Sequence, residues 1–359
     1  LTQNNIGATA TLVLANGLEA NRNLEFLILD QNPIGQTGAR AMLRLFGNGE
    51  EDTILSLQGC NVDIDDPLIF DPNELSEHYS LTLDSPYQRS ILKDIIRKAN
   101  RHLGVSLTNV DYDGKTLHVD HATDCGEPLN LRELRIGDKI WTGYDTGIIT
   151  FDVHIIPHRP TLANALTNAA LENLLNVVLN EKLSERNKQL MMRLACQDMF
   201  FTTAQVIYIL NKIDQRNQSS RVNAAVELMQ RIVDPEKMSL FHGNLDSVTA
   251  SKVKLQIGQL YNFDITNPGD HYRLDLAKKY DRVILEKLLE INTVDAEYSK
   301  TLSKRNDTSQ HGDWNNFRNA VYNDKKILPP HSIATKFRLI IPQRGLLEFD
   351  YTTPRRVPP

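Results

Sequence analysis

Apolar residues recur with two different periods along this chain. Segments that alternate apolar and polar residues, at 78–83 and 271–276, predict half-buried strands. Segments with an apolar residue every three to four positions predict helices, most clearly within 159–255. There they predict one helical run over 162–179, a second helix after the capping-box pair Thr202 and Gln205, and a third over 221–232. No apolar run reaches about 18 residues, so no membrane span is predicted.

The first sixty residues repeat with a period of 28. One repeat position holds Asn4, Asn32 and Cys60, and another holds Leu1, Leu29 and Leu57. Alternate leucines of a short strand point inward, and an asparagine after the strand can turn its amide toward backbone groups. The residues between the predicted strands have helical spacing, at 10–18 and 39–46. A strand and a helix are therefore expected to alternate in each repeat.

The pattern Leu24-x-x-Leu27-x-Leu29-x-x-Asn32, with Cys60 one period later, resembles the leucine-rich repeats of the ribonuclease-inhibitor-like class. The resemblance covers residues 1–62 and implies a solenoid that binds macromolecules on its concave surface. Each repeat buries its apolar face only against its neighbours, so about three are needed for stability. Because barely two are present, and the chain opens without Met inside a strand motif, we expect further repeats upstream.

A second kind of repetition is a duplication. Residues 70–96 and 263–289 share 10 identities in 27 aligned positions, without a gap. The similarity continues from a predicted hairpin at 109–115 to one at 319–325, and from a predicted strand at 147–152 to one at 345–350. Two small α/β modules, each ordered strand, helix, hairpin, strand, are therefore predicted.

The predicted fold class is α/β and α+β multidomain: a truncated leucine-rich-repeat solenoid and two related small α/β modules that flank an α-helical domain. The domain boundaries are 1–62 for the repeats, 63–158 for the first module, 159–255 for the helical domain, and 256–359 for the second module with its extended Pro/Arg tail. Segments 201–206 and 231–234 resemble helical domains of unknown function that occur beside leucine-rich repeats, which assigns no activity.

Composition excludes several classes of function. The chain has a net charge of −5 and no block of Lys and Arg, so it lacks the footprint of a nucleic-acid binder. Its three cysteines, Cys60, Cys125 and Cys196, suit a reducing compartment. The sequence contains no Gly-rich phosphate loop, no nucleophile elbow and no HExxH motif. We therefore assign no catalytic, cofactor-binding or metal-binding residue and no cofactor.

Two clusters nevertheless carry candidate chemistry. His118, Asp120 and His121, followed by Asp124 and Cys125, are residue types that ligate zinc. Strand alternation would send the two histidines to opposite faces, and the second copy has Leu328-Pro329-Pro330 there, so a polar loop is favoured and metal binding stays open.

The second cluster is the pair His78-Tyr79 and its copy His271-Tyr272, since a histidine can act as a general base. The two copies also retain a tyrosine and an arginine, at Tyr87, Tyr280, Arg89 and Arg282. Joint retention favours a structural role, in which the arginine packs between aromatic rings.

These observations predict a non-enzymatic protein–protein interaction or scaffold protein, whose partners are other proteins within a larger assembly rather than nucleic acid or membrane. By analogy with other repeat-plus-helical proteins, we expect a cytoplasmic location, in a cytoskeletal or ciliary assembly. One alternative is a metal-dependent hydrolase using His118, Asp120 and His121, which elemental analysis would test. Another is a leucine-rich-repeat signalling regulator that grips one partner transiently, which assembly size would separate from a scaffold.

Overall fold

The computed structural model describes residues 1–18, 21, 23–47, 54–63, 70, 75, 78–100, 105–119, 134–136, 139–140, 146–155, 159–303, 316–327, 333 and 341–353. The chain is mixed α/β, with helices and small sheets alternating along it. The helices are α1 (Ala8–Leu18), α2 (Gly35–Gly47), α3 (Pro86–Asn100), α4 (Asn168–Val178), α5 (Glu185–Asp198), α6 (Thr203–Lys212), α7 (Gln218–Met229), α8 (Met238–Asn244), α9 (Ser247–Ile257) and α10 (Lys279–Ser303). The strands are β1 (Phe26–Ile28), β2 (Ile54–Ser56), β3 (His78–Thr82), β4 (Val105–Tyr112), β5 (Lys115–Thr116), β6 (His118–Val119), β7 (Leu134–Ile136), β8 (Lys139–Ile140), β9 (Ile148–Ile155), β10 (Asp270–Asp275), β11 (Phe317–Tyr322), β12 (Lys325–Lys326) and β13 (Leu346–Tyr351).

The first unit alternates helix and strand with the period found in the sequence. Strands β1 and β2 pair in parallel, and each residue of β1 lies opposite the residue 28 positions later, as Phe26 does to Ile54. Asn32 is buried after β1, where its Oδ1 accepts from the N–H groups of Asn4 and Ile6, each at 3.0 Å. Its Nδ2 donates to the carbonyl oxygens of Leu29 at 2.7 Å, Leu1 at 2.8 Å and Asp30 at 3.2 Å.

Cys60 takes the place of the asparagine one period later. Its Sγ donates to the carbonyl oxygen of Leu29 at 3.1 Å, just as Asn32 donates to that of Leu1. The acceptor carbonyls are themselves 28 residues apart, so both the contact and the strand register follow the sequence period.

The two predicted modules form sheets with the same strand order. The first sheet has the order β3-β9-β4-β5 and the second has β10-β13-β11-β12, with antiparallel pairing throughout. The predicted Asp113-Gly114 hairpin turn is confirmed, because Tyr112 pairs with Lys115 across it. The third strand of each sheet, β4 and β11, has a register shift at the same place, between Thr108 and Asp111 in β4 and between Arg318 and Val321 in β11.

In the helical region, polar side chains fix where the helices begin. Thr202 and Gln205 form the predicted capping box at the start of α6. The helix predicted over 221–232 spans Gln218–Met229 instead. The run predicted over 162–179 divides into a 3-10 turn at Leu162–Asn164 and α4, because Ala165 is extended and Leu166 donates its N–H to the Phe200 carbonyl oxygen at 2.9 Å.

Ion pairs between distant segments connect the first unit to its neighbours. Arg40 on α2 binds Asp198 at the end of α5 through two contacts, at 2.5 and 2.8 Å. One turn later, Arg44 binds Asp94 on α3 at 2.9 Å, and both side chains are buried. A continuous apolar core runs from the first unit through the helical region into the second sheet, while the first sheet and α3 enclose a separate core. Within the described residues, no helix combines the length and the apolarity needed to cross a membrane.

Candidate functional site

The strongest exposed feature of the first unit is the outer face of the β1–β2 sheet. Phe26, Ile28 and Ile54 point away from the core and are 59%, 46% and 55% exposed. Phe26 and Ile54 are direct partners across the two strands, so their side chains stand next to each other. We call Phe26, Ile28 and Ile54 the exposed face.

Apolar residues lie on both faces of the β1–β2 sheet. Strand residues alternate between the two faces, and Leu27 and Leu55 fill the inward positions and are buried. The outward positions of a solvated sheet usually carry polar residues, yet here three of the four carry Phe or Ile and only Ser56 is polar. A contiguous exposed apolar patch is typical of a surface that contacts another macromolecule.

The duplicated histidines both bind an aspartate on the neighbouring strand. His78 Nδ1 lies 2.7 Å from Asp152 Oδ1, and His271 Nδ1 lies 2.7 Å from Asp350 Oδ1. The second carboxylate oxygen accepts from an asparagine in the register shift, at 2.7 Å from Asn109 in the first copy and at 2.6 Å from Asn319 in the second.

This histidine–aspartate–asparagine arrangement is suited to holding backbone geometry. Asn109 and Asn319 have φ angles of 50° and 53°, in the left-handed region, where a side-chain anchor compensates for strain. Two positions along the strand from each histidine, the first copy has Ser80 and the second has Arg273, so the copies share no nucleophile there. The shared groups therefore favour the structural role over a general base.

The duplicated arginines also serve the backbone. Arg89 donates to the carbonyl oxygen of Leu83, and Arg282 donates to that of Leu276 at 2.6 Å, at the end of the first strand of each module. Each arginine thus joins the helix that carries it to the end of the preceding strand, and its packing between aromatic rings stays a prediction. In each module two aromatic rings stack, Tyr79 on Phe151 and Tyr272 on Phe349, with ring centres 5.4 Å apart in both pairs.

Of the candidate metal cluster, the structure describes only His118. His118 begins the short strand β6 and pairs with Arg135, so this position lies in a three-stranded sheet rather than in the expected polar loop. The difference arises because the partner strand, β7, comes from a segment for which no strand was predicted. Asp120, His121, Asp124 and Cys125 lie outside the described residues. Among the residues that are described, no group of three or more His, Cys, Asp or Glu could hold a metal ion.

Two of the three cysteines are buried and unreactive by environment. Burial raises the pKa of the Cys60 thiol, and it raises the pKa of Cys196 to about 12. A nucleophilic cysteine needs a thiolate near neutral pH, so neither fits that role.

Sequence reasoning missed the exposed face and the two asparagines. The asparagines could have been found, because each occupies the same place in the duplicated hairpin segments. The exposed face had no such signal, because Phe26 and Ile54 look like ordinary strand residues in the sequence. Comparison of the chain with protein-family models, with curated proteins and with solved structures finds no match.

Proposed function

We propose that this protein is a non-enzymatic scaffold that binds another folded protein through the exposed face. The supporting observation is that Phe26, Ile28 and Ile54 form an apolar patch on an otherwise regular sheet. The occupant that fits this patch is a protein surface with its own apolar or aromatic side chains, since burying such side chains together is the main favourable term in protein association.

The unit that carries this face has the features proposed for leucine-rich repeats. A parallel pair in a 28-residue register, a buried Asn32 and an equivalent Cys60 support membership of the ribonuclease-inhibitor-like class. The ion pairs of Arg40 and Arg44 fix this unit against the helical region and α3, as a scaffold requires. A large cytoplasmic assembly, cytoskeletal or ciliary, is the setting we propose on the analogy drawn from the sequence.

Site-specific photo-cross-linking tests the proposal. Benzoylphenylalanine in place of Phe26 should give a discrete cross-linked protein in cells that express the full chain, and Ile54→Asp should abolish that product. The control places the same probe at Leu255, which is 88% exposed on α9 and far from the face in sequence. The cross-linked species should also migrate as a large assembly in native fractionation.

The opposite results would reject the proposal. If residue 26 yields no product, or the same products as residue 255, the exposed face is not a binding surface. If the chain fractionates as a free monomer, the scaffold role is wrong even where a transient contact exists.

A further inference from the structure

A cavity of about 520 Å³ lies between the helical region and the long helix α10. Its apolar lining is formed by Met229, Ile232, Leu260, Phe263 and Ile265, which we call the apolar wall. Pockets for small molecules in proteins have volumes of about 300–1,000 Å³ and occur often where two structural units meet. The cavity is thus large enough for an organic molecule.

Charged groups from several segments line the same cavity, and they include the acids Glu236 and Asp264. Glu290 and Lys287 are three residues apart and so share one face of α10, and Arg159 comes from the segment before α4. Lys287 Nζ donates to the carbonyl oxygen of Gln230 at 3.4 Å, which is long for a hydrogen bond. Burial raises the pKa of Glu290 to about 7 and lowers the pKa of Lys287.

Two side chains that line this cavity each have one polar atom buried without a hydrogen-bond partner in the described part of the chain: Glu290 Oε2 and His242 Nε2. The His242 ring lies against Tyr261, with ring centres 4.4 Å apart, and burial lowers its pKa, so the ring is neutral near pH 7. Leaving a buried acceptor without a donor is unfavourable. The cavity is therefore lined by carboxylates, among them Glu290 with its unmet oxygen, by two basic side chains and by an apolar wall.

We propose that this cavity binds a small zwitterion, an apolar or aromatic α-amino acid. Its ammonium group would donate to the Glu290 carboxylate, and its own carboxylate would accept from Arg159 and Lys287. The side chain of the ligand would lie against the apolar wall. A purely anionic ligand offers no donor to the Glu290 carboxylate, and a purely cationic one offers no acceptor to Arg159 and Lys287. The inference does not depend on the exposed face or on its partner.

Calorimetric titration of the full chain tests the ligand class. The probes are L-leucine and L-phenylalanine, with N-acetyl-L-leucine lacking the ammonium, 3-methylbutylamine lacking the carboxylate, and glycine lacking the apolar side chain. We expect both amino acids to bind and each truncated compound to bind at least tenfold more weakly. The proposal is overturned if no amino acid binds, which would mean that water fills the cavity, or if N-acetyl-L-leucine binds as tightly as leucine.

Variants assign the roles of the side chains. Glu290→Gln should weaken leucine binding at least tenfold without changing the thermal unfolding midpoint. Glu286→Gln, one turn earlier on the same helix and outside the cavity lining, should leave Kd within twofold. In Arg159→Gln, the preference for leucine over 3-methylbutylamine should fall at least threefold, because the carboxylate has lost one of its two proposed partners. Unchanged binding in Glu290→Gln, or an undiminished preference for leucine in Arg159→Gln, would contradict the assignment.

Discussion

Replacing Asn32 with alanine tests whether one buried amide organises the first unit. The Asn32 side chain is 1% exposed and makes five hydrogen bonds to backbone groups. A typical hydrogen bond contributes about 1 kcal/mol net, so the five set an upper value of about 5 kcal/mol. Four of the five are only partly buried, and water can replace a partner there. We therefore expect Asn32→Ala to lower the free energy of unfolding by about 3 kcal/mol.

Two further variants test whether the amide donor is needed and whether an exposed asparagine at the same repeat position has the same effect. Asn32→Asp keeps the Oδ1 acceptor but turns a charged oxygen toward three carbonyl oxygens, so at pH 7 it should lose more than Asn32→Ala. Asn4→Ala removes the asparagine of the preceding repeat position, whose side chain is exposed and donates to the Thr2 carbonyl oxygen at 2.9 Å. That control variant should lower the free energy of unfolding by less than about 0.5 kcal/mol, as substitutions at exposed surface positions do.

Hydrogen exchange measures the effect where it occurs. The amides of Asn4 and Ile6 should lose protection in Asn32→Ala, and urea unfolding should give the change in free energy. The reasoning would be refuted if Asn32→Ala lowered the free energy of unfolding by less than about 1 kcal/mol, or if Asn4→Ala lowered it equally. In either case the buried amide of Asn32 would not be what stabilises the first unit.

Three other predictions address the modules and their connections. The hydrogen bond to Asp350 raises the pKa of His271 above 6.5, so the stability that this bond contributes is full below pH 6.5 and is lost as the pH rises through the raised pKa. NMR titration should show the raised pKa, and Asp350→Asn should remove most of the shift, since Glu348 and Asp270 contribute the remainder. Asp94→Asn should destabilise by about 3 kcal/mol in urea unfolding because it removes the negative charge of a buried ion pair with Arg44, whereas Arg44→Met with Asp94→Leu should recover most of the loss. Gly345→Ala should cost at least about 1 kcal/mol in thermal unfolding, since φ is 117° there and a Cβ would clash with Tyr322; a neutral result would contradict that geometry.

Local features of the fold could be predicted from the sequence because their causes are local. The capping box at Thr202, the hairpin turn at Asp113-Gly114 and the 28-residue register each depend on residues a short distance apart or on a repeated pattern. The pairing of Arg40 with Asp198 could not be predicted, since 158 residues separate them and neither belongs to a motif.

The cavity was missed for a different physical reason. Glu290 and Lys287 have the spacing of an ordinary solvated helix face, on which mixed charges are expected. Their unusual state comes from the helical region packed against α10, and only that packing takes Glu290 Oε2 away from solvent. Sequence periodicity shows which face a residue occupies, but not whether another unit covers it.

The duplication shows which polar residues serve the module itself and which serve its surroundings. The aspartate–asparagine pair and the strand-end arginine have the same identities and contacts in both copies. Asp94 and Lys287 occupy the same position of the duplicated helix, yet one carries a negative charge and the other a positive charge. Asp94 forms an ion pair with Arg44 of the first unit, and Lys287 donates to the carbonyl oxygen of Gln230 in the helical region. Each module thus docks on a different neighbour with one helix face, and the residue at that face has changed with the neighbour.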